Sequence, residues 1–223
     1  MLKFIAVACA AACSLFIAPA ASASPAVAYP GAHLVSTMLS SNGHPFLCTL
    51  GFVVRDSGGG LNALTAGHCN RNPSDNTVLQ RTPGGDLVVG DYTRGVVSPG
   101  FRDAGLVSLT SPDVGVVSDV DGRRVSRILA APDLRAAPDL VLCKSGARTG
   151  VSCGTVTYVD DNEVRFRAWD DLGDSGSPVY ALLPDGTAGA VGILYAHSDD
   201  AEGRIIHASM IAPVMWEWGL VLG

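Results

Sequence analysis

The sequence predicts an all-β protein, and three observations carry this prediction. Short apolar runs recur along the chain, with turn residues between them. The 26 glycines and 13 prolines among 223 residues favour many turns over long helices. A break at residues 111–122 divides the runs into two similar sets. About a dozen short strands at this spacing are typical of a β-sandwich or of β-barrels, and the length fits one large domain or two small ones.

In the first set, residues 46–55 form a predicted strand that ends at the turn Asp56-Ser57-Gly58-Gly59-Gly60. Its predicted hairpin partner is residues 61–66. Proline, glycine or aspartate bounds each of the next three strands, which are residues 77–80, 87–92 and 104–109.

The second set repeats this pattern. Its predicted strands are residues 124–129, 140–143, 154–159, 164–168, 178–183, 188–195 and 204–211. Only the C-terminal residues 213–220 are predicted to be helical, with Pro213 in the first turn of the helix, where proline is favoured.

Residues 1–23 are interpreted as a signal peptide rather than as part of the fold. Lys3 supplies a positive charge, residues 4–17 are almost unbroken apolar sequence, and Ala21-Ser22-Ala23 fits the small-residue cleavage rule. The apolar run is too short for a permanent membrane span. The mature chain is therefore expected to be secreted.

The cysteines and the charge narrow the class of protein further. Six cysteines become four when Cys9 and Cys13 leave with the signal peptide, and four cysteines in an exported chain imply disulfides with three open connectivities. Lipid attachment at either leader cysteine is the weaker alternative, because it leaves a very short apolar core. A competing interpretation is a zinc site formed by Cys48, Cys69, His44 and His68. These four residues lack the usual zinc-ligand spacing, so neither a metal nor a cofactor is expected. The net charge of −6 and the absence of basic runs argue against nucleic-acid binding.

The stretch Gly173-Asp174-Ser175-Gly176-Ser177-Pro178-Val179 is the strongest chemical signal in the chain. A serine between glycines lets the backbone turn sharply and expose the hydroxyl. Acyl transfer needs backbone N–H groups aimed at the oxygen that becomes negative, and Gly173 and Ser175 are the candidate donors for this oxyanion hole. The alternative is a plain turn between two strands.

Two residues of the first set complete a catalytic pattern. His68 ends the strand in Leu64-Thr65-Ala66-Gly67-His68-Cys69, and Asp103 begins the strand that runs to Leu109. A half-buried aspartate that accepts a bond from a histidine ring N–H fixes the tautomer and supports the imidazolium formed during catalysis. Read singly, each residue is equally well explained as structural.

Together, His68, Asp103 and Ser175 lie in the order His…Asp…Ser, separated by 35 and 72 residues. With the motifs Thr65-Ala66-Gly67-His68-Cys69 and Gly173-Asp174-Ser175-Gly176, the chain resembles the chymotrypsin family of serine peptidases. The resemblance implies two six-stranded antiparallel β-barrels with the active site between them and a short C-terminal helix. Residues 24–118 would form the N-terminal barrel with His68 and Asp103, and residues 119–223 the C-terminal barrel with Ser175. The resemblance also implies that His68 is the general base, that Asp103 is the carboxylate that orients it, and that Ser175 is the nucleophile.

The segment from Cys143 to Thr155 resembles the disulfide hairpin of the secreted bacterial members, the streptogrisin and α-lytic type. The motifs around the cysteines favour the pairs Cys48–Cys69 and Cys143–Cys153. These relatives carry an arginine after the first hairpin cysteine, and it pairs with the aspartate that precedes the nucleophile. Lys144 occupies that position here, so the resemblance implies a structural ion pair between Lys144 and Asp174. The alternative is that Lys144 is an exposed hairpin residue.

The substrate site departs from the family pattern in two places. The Ser-Gly-Gly segment that pairs with the substrate backbone is replaced by Tyr195-Ala196-His197, whose bulk is expected to narrow the cleft. A third disulfide of the relatives is missing, and Trp169 stands near the place of one of its cysteines. The predicted substrate-binding residues are Trp169, Asp170, Leu172, Leu194, Tyr195, Ala196 and His197. Hydrophobic, acidic and basic preferences can each be argued from this set.

The leading hypothesis is a secreted, monomeric serine endopeptidase that cleaves polypeptides through an acyl-enzyme. One alternative is a catalytically silent binding protein on the same fold, for which the altered Tyr195-Ala196-His197 segment leaves room. A second is an α/β-hydrolase esterase using Asp199 and His207. That alternative requires Gly-x-Ser-x-Gly, but Ser177 stands in place of the last glycine and the helices between strands are missing.

Overall fold

The structure is a computed structural model that describes residues 26–39, 43–72, 74–98 and 102–223. The expected signal peptide lies outside the described residues. In these ranges neither α-helix has the length and apolar character needed to cross a membrane.

The first half of the described chain is built from nine strands. They are β1 (Ala26–Ala28), β2 (His33–Leu39), β3 (Pro45–Thr49), β4 (Val53–Arg55), β5 (Leu61–Thr65), β6 (Thr77–Thr82), β7 (Gly85–Ser98), β8 (Arg102–Leu109) and β9 (Val114–Val116). The main sheet has the order β4-β5-β8-β7-β6-β2-β3. The chain between β3 and β4 keeps bonding to β5, because Gly51 N–H donates to Leu64 O at 2.7 Å and Leu64 N–H donates to Phe52 O at 2.8 Å. β3 and β4 are therefore two halves of one bent strand that closes a six-stranded barrel.

The second half contains eight strands and two helices. They are β10 (Val125–Ile128), α1 (Ala131–Ala136), β11 (Val141–Gly146), β12 (Gly150–Val159), β13 (Glu163–Arg167), β14 (Pro178–Leu182), β15 (Ala188–Asp200), β16 (Gly203–Met210), α2 (Ile211–Trp218) and β17 (Val221–Leu222). Six strands in the order β15-β14-β11-β12-β13-β16 close into a barrel through the β15–β16 pairing. The predicted all-β fold of two barrels with a short C-terminal helix is confirmed.

Three features join the two barrels. β1 pairs in parallel with β9, which lies in the connection between the barrels. β17 crosses back from the C-terminus to pair with β4 of the first barrel. One apolar cluster contains Phe52 and Val53 of the first barrel together with Ile193, Met215 and Leu220. A separate cluster fills the second barrel, so the molecule has one shared core and one barrel interior.

The structure corrects two details of the predicted elements. The run 46–55 is interrupted at residues 50–52, where Gly51 lies so close to β5 that a Cβ there would approach Leu64 O to 2.6 Å. The prediction that only residues 213–220 are helical was wrong. α1 forms at residues 131–136, where Asp133 accepts the Ala130 N–H at 2.8 Å and Pro132 lies in the first turn.

Candidate active site

His68 and Asp103 are held together by two hydrogen bonds. His68 lies in a single 3-10 turn, Gly67–Cys69, that directly follows β5, and Asp103 lies near the start of β8. The Nδ1 atom of His68 is 2.7 Å from Asp103 Oδ2, and the His68 backbone N–H donates to Asp103 Oδ1 at 3.0 Å. Because an ionised carboxylate only accepts, this contact places the proton on Nδ1 and leaves Nε2 as the free acceptor.

Asp103 is only 7% exposed and is fixed by a third contact. Its own backbone N–H donates to Ser209 Oγ at 2.7 Å, and Ser209 belongs to β16 of the second barrel. Asp103 is thus held from both barrels, its carboxylate by His68 and its backbone N–H by Ser209.

The residue after His68 is Cys69, which forms a disulfide with Cys48 of β3. The bridge fixes the backbone that carries the imidazole. The sulfur atoms that the zinc alternative requires as thiolates are consumed in this bond. The second disulfide joins Cys143 and Cys153 across the β11–β12 hairpin.

Ser175 lies in a tight turn between β13 and β14 whose shape depends on glycine. Gly176 has φ +94°, and a Cβ there would come within 2.1 Å of Thr49 O. Gly173 has φ +107°. Residues with side chains rarely adopt this region, so the two glycines permit both the turn and its close approach to β3.

Hydrogen bonds hold the carbonyl groups of Gly173 and Asp174 in the turn. Asp174 O accepts from Ser177 N–H at 2.9 Å and from Ser177 Oγ, and Gly173 O accepts from Thr49 Oγ1 at 2.9 Å. The C=O and N–H of a trans peptide point in opposite directions, so the fixed Asp174 carbonyl turns the Ser175 N–H the other way. Within the described residues, the N–H groups of Gly173 and Ser175 have no protein acceptor.

Thr49 was missed by the sequence analysis. Its hydroxyl bonds Gly173 O, its N–H donates to Ser175 O at 2.7 Å, and its carbonyl accepts from Thr65 Oγ1 at 2.9 Å. It is fully buried between the barrels. The only signal in the sequence was its position after Cys48, which does not reveal contacts made 124 residues away.

Lys144 and Asp174 meet in the interior, and both side chains have 0% exposure. The Nζ atom of Lys144 lies 2.8 Å from Asp174 Oδ2 and donates to Gly150 O at 2.9 Å, and it also contacts Thr149 Oγ1. Asp174 Oδ1 accepts the N–H groups of Arg148 at 2.9 Å and Thr149 at 3.2 Å. The exposed alternative for Lys144 does not fit this burial.

These contacts control the ionisation of Asp174. Burial alone raises the pKa of this carboxyl group, but the hydrogen bonds from Lys144 and Thr149 and the charge of Lys144 outweigh it and hold the pKa below its ordinary value. Asp174 is therefore a charged group in the core, stabilised by one cation and several donors.

A cavity of about 290 Å³ lies next to Ser175. Its lining is formed by His68, Asp170, Asp171, Leu172, Ser175, Leu194, Tyr195, Ala196 and His197. Six of the seven predicted substrate-binding residues are in this set. Trp169 is not, because its ring lies on the outer side, stacked against the guanidinium of Arg204 at 4.8 Å.

Two polar clusters lie at the walls of the cavity, and sequence analysis missed Arg204 of the first and Glu163 of the second. Buried Asp170 binds both His197 Nδ1 at 3.0 Å and Arg204 Nη1 at 3.0 Å. Buried Glu163 accepts from Tyr195 OH at 2.6 Å and contacts His207 Nδ1 at 2.9 Å. Desolvation and the bond to Glu163 raise the pKa of Tyr195, so its hydroxyl stays protonated as a donor.

Asp199 and His207, which the esterase alternative requires, have other partners. Asp199 Oδ1 accepts from Arg204 Nε at 2.8 Å, and His207 Nε2 lies 2.9 Å from Ser198 Oγ. Neither residue lines the cavity beside Ser175. The structure therefore brings Ser175 together with His68 rather than with this second pair.

Comparisons with known proteins agree with this architecture. No protein-family model matches the chain. The uncharacterized protein MT1863 of Mycobacterium tuberculosis (strain CDC 1551 / Oshkosh) is 30% identical over 188 residues, which cover 78% of this chain and 75% of that protein. The uncharacterized protein Rv1815 of strain ATCC 25618 / H37Rv is 28% identical over 191 residues, with the same coverage of both chains.

Solved structures extend the comparison to characterised folds. Thermobifida fusca Protease A is 27% identical with a TM-score of 0.63, covering 87% of this chain and 98% of that one. Nocardiopsis protease is 24% identical with a TM-score of 0.65, covering 87% of this chain and 99% of that one, and supports the fold. These structural neighbours are bacterial chymotrypsin-like serine proteases, and the chain is similar to the group of the streptogrisins and α-lytic protease. The resemblance that the motifs indicated is confirmed.

Proposed function

We propose that this chain is a secreted serine endopeptidase that cleaves polypeptides through an acyl-enzyme on Ser175. One observation carries the proposal most strongly. His68, which is joined to Asp103 at 2.7 Å, lines the same cavity as the serine of the Gly-Asp-Ser-Gly turn. The similarity to solved bacterial serine proteases supports the same class of reaction.

In the proposed reaction, Ser175 Oγ attacks the scissile carbonyl carbon while His68 Nε2 accepts the hydroxyl proton. The imidazolium that forms is stabilised by Asp103 through the Nδ1–H bond. The same proton passes to the leaving amine as the C–N bond breaks, which leaves an ester on Ser175. Water, activated by His68, then attacks that ester and releases the acid.

The oxyanion formed in both steps would be bound by the N–H groups of Gly173 and Ser175. Their lack of a protein acceptor keeps them available for substrate. The buried Lys144–Asp174 pair supports this arrangement, because Asp174 is the residue between the two donors. We assign Lys144 and Asp174 as a structural ion pair and not as catalytic residues.

Export is supported by the two disulfides, since such bonds persist in oxidising compartments. The expected leader, residues 1–23, has the charge and apolar pattern of a cleaved signal. Secretion therefore remains part of the proposal together with the peptidase activity.

A catalytically silent binding protein on the same fold is the second candidate. The observation that favours it is the contact between His197 and Asp170, which links the two walls of the cavity beside Ser175 at 3.0 Å. If the walls do not separate for a polypeptide, the cleft would be closed to substrate.

Hydrolysis of a peptide-amide library by the mature chain separates these candidates, with Ser175→Ala as the test variant. Ser126→Ala is a matched control, because Ser126 lies in the same half of the chain and bonds Thr187 instead of lining the cavity. The proposal expects turnover in the parent and the control and its loss in Ser175→Ala. Turnover retained within about tenfold in Ser175→Ala would contradict the assigned nucleophile.

A further inference from the structure

The two walls of the cavity beside Ser175 have no covalent link to each other. One wall is the segment 170–172, between β13 and the Ser175 turn, and the other is the segment 195–197 of β15. Neither of the two disulfides in the described chain includes a residue of these segments. Their separation must therefore be set by noncovalent contacts.

Arg204 of β16 makes four such contacts from one side chain. Its Nη1 donates to the backbone oxygen of Asp170 and to Asp170 Oδ1, both at 3.0 Å. Its guanidinium lies 4.8 Å from the centre of the Trp169 ring, and its Nε donates to Asp199 Oδ1 at 2.8 Å. A planar guanidinium can stack on a ring while donating in its own plane, which an ammonium cannot do.

Asp170 also contacts the opposite wall, so it connects Arg204 to that wall. Its side chain is only 3% exposed, and its second oxygen lies 3.0 Å from His197 Nδ1. Arg204, Asp170 and His197 thus form a continuous chain from β16 through the first wall to the second. We call these three residues, with Trp169, the wall clamp.

We propose that Arg204 is a positioning residue that sets the width of the substrate cleft through the wall clamp. The inference deepens the proposed peptidase function and rests on it. Arg204 does not line the cavity, so it acts on substrate through Asp170 and His197 and not by direct contact.

Because of its position, Arg204 should affect substrate binding and not the chemical step that the catalytic residues carry out. The Ser175 turn has supports that do not involve Arg204, namely Thr49 on one side and the Lys144–Asp174 pair on the other. Loss of Arg204 should therefore loosen the cleft walls while leaving Ser175 and His68 reactive. The expected signature is a rise in KM with little change in kcat, which marks lost substrate binding instead of lost chemistry.

The test compares Arg204→Met with the parent and with Arg204→Lys. Arg81→Met is the matched control, because Arg81 also makes two bonds to one carboxylate, Asp86, but lies on the β6–β7 hairpin of the first barrel. The readouts are KM and kcat for a peptide amide, the labelling rate of Ser175 by a small phosphonylating reagent, and hydrogen exchange of the amides of residues 169–172.

For Arg204→Met we expect KM to rise about tenfold or more, faster exchange in residues 169–172, and a labelling rate within about twofold of the parent. In Arg204→Lys the rise in KM should be smaller than in Arg204→Met, because an ammonium can keep one bond to Asp170 but cannot stack on the Trp169 ring. Arg81→Met should match the parent. Unchanged KM and unchanged exchange in Arg204→Met would overturn the proposal.

Two further outcomes are informative. If Arg204→Met does not fold, Trp169→Ala decides, because Trp169 is 59% exposed and its truncation removes only the stacking face of the clamp. Unchanged KM and exchange in both Trp169→Ala and Arg204→Lys would then overturn the proposal. If the parent is not labelled at all, the peptidase function fails, and the exchange of residues 169–172 still supports or overturns the clamp.

Discussion

At the residue scale, Lys144 and Asp174 place two opposite charges in the core, where each charge requires the other as its partner. Each ammonium proton of Lys144 has an acceptor, and both Asp174 oxygens accept from backbone or side-chain donors. Such a pair contributes little beyond an apolar pair of equal volume, but removing one partner leaves an uncompensated buried charge. We therefore expect the folded state not to tolerate the loss of either charge.

Lys144→Met should destabilise the folded state by about 3–5 kcal/mol, since the Asp174 carboxylate loses its cation in a site without solvent. Turnover should fall about a hundredfold, the scale of losing one oxyanion donor, because Asp174 lies between Gly173 and Ser175. Lys144→Arg keeps the charge and should retain most of the turnover. Urea denaturation and peptide hydrolysis measure the two effects. A Lys144→Met protein with the stability and turnover of the parent would contradict the structural role of the pair.

The penalty in Lys144→Met should shrink as the pH falls. In the parent, the lowered pKa of Asp174 contributes stability that is present above its ordinary value of 3.8 and is lost as the pH falls through the lower folded value. In the variant, burial without Lys144 raises this pKa, so protonation removes the unpaired charge. The difference in unfolding free energy between parent and variant should be largest near neutral pH and smaller near pH 3.8. A difference that is independent of pH would argue against charge as its cause.

Residue positions were predictable from sequence where a short motif carries them. Motifs alone predict the residues that are in contact at His68–Asp103 and at Lys144–Asp174. Thr49 and Arg204 were not, because their roles come from contacts with segments distant in the chain, which no local pattern encodes. Thr49 bonds a residue 124 positions away, and Arg204 bonds one 34 positions away.

At the scale of elements, strand pairing fixes some residues of the site and a disulfide fixes others. Lys144 is paired with Ser152 on β12 and with Val179 on β14, so the hairpin register holds it on two sides. His68 lies instead in a single 3-10 turn outside any sheet. We therefore expect the backbone position of His68 to depend strongly on the Cys48–Cys69 disulfide. The backbone position of Lys144 should depend less on the Cys143–Cys153 disulfide, because strand pairing also holds it.

Replacing Cys48 and Cys69 by alanine should lower both stability and turnover, because the turn that carries His68 loses its anchor. Replacing Cys143 and Cys153 should lower mainly stability, since the β11–β12 pairing persists. The closed segments have separations of 21 and 10 residues, and each bridge should contribute about 3 kcal/mol on the chain-entropy model. Thermal denaturation and hydrolysis rates of the two double variants measure this. Equal losses of turnover in both would contradict the distinction.

Most strands were predictable because their apolar runs are bounded by turn residues, but their ends and the short elements were not. β7 extends over 14 residues, from residue 85 to residue 98, although only residues 87–92 were predicted. Outside residues 87–92 the strand is largely exposed, and Val96 and Val97 are its only apolar side chains there, too few to form an apolar run. β1, β9 and β17 have three residues or fewer and exist through pairing with distant segments.

At the scale of the whole molecule, the shared core couples the two barrels. The cluster that contains Phe52 and Val53 also contains residues of β15, α2 and the C-terminal segment. β17 adds a backbone link to β4, and Ser209 of the second barrel binds the Asp103 N–H of the first. The position of one barrel relative to the other is therefore set by contacts that neither barrel can make alone.

We expect the mature chain to unfold in one cooperative transition, because separating the barrels would expose the shared core and leave Asp103 without its Ser209 contact. Far-ultraviolet circular dichroism and tryptophan fluorescence should report the same midpoint in urea. Two resolved transitions would indicate that the barrels are stable units by themselves.

The central claim is that Ser175 is a nucleophile activated by His68. Its most direct test is mass spectrometry of the mature chain after treatment with a phosphonylating reagent, with His68→Ala as the variant and Ser126→Ala as the control. The proposed mechanism predicts one adduct per chain, mapped to Ser175, with an unchanged labelling rate in Ser126→Ala. In His68→Ala the rate should fall at least about a hundredfold, since general-base catalysis contributes on that scale. No adduct on the parent chain, or an adduct on another residue, would contradict the claim.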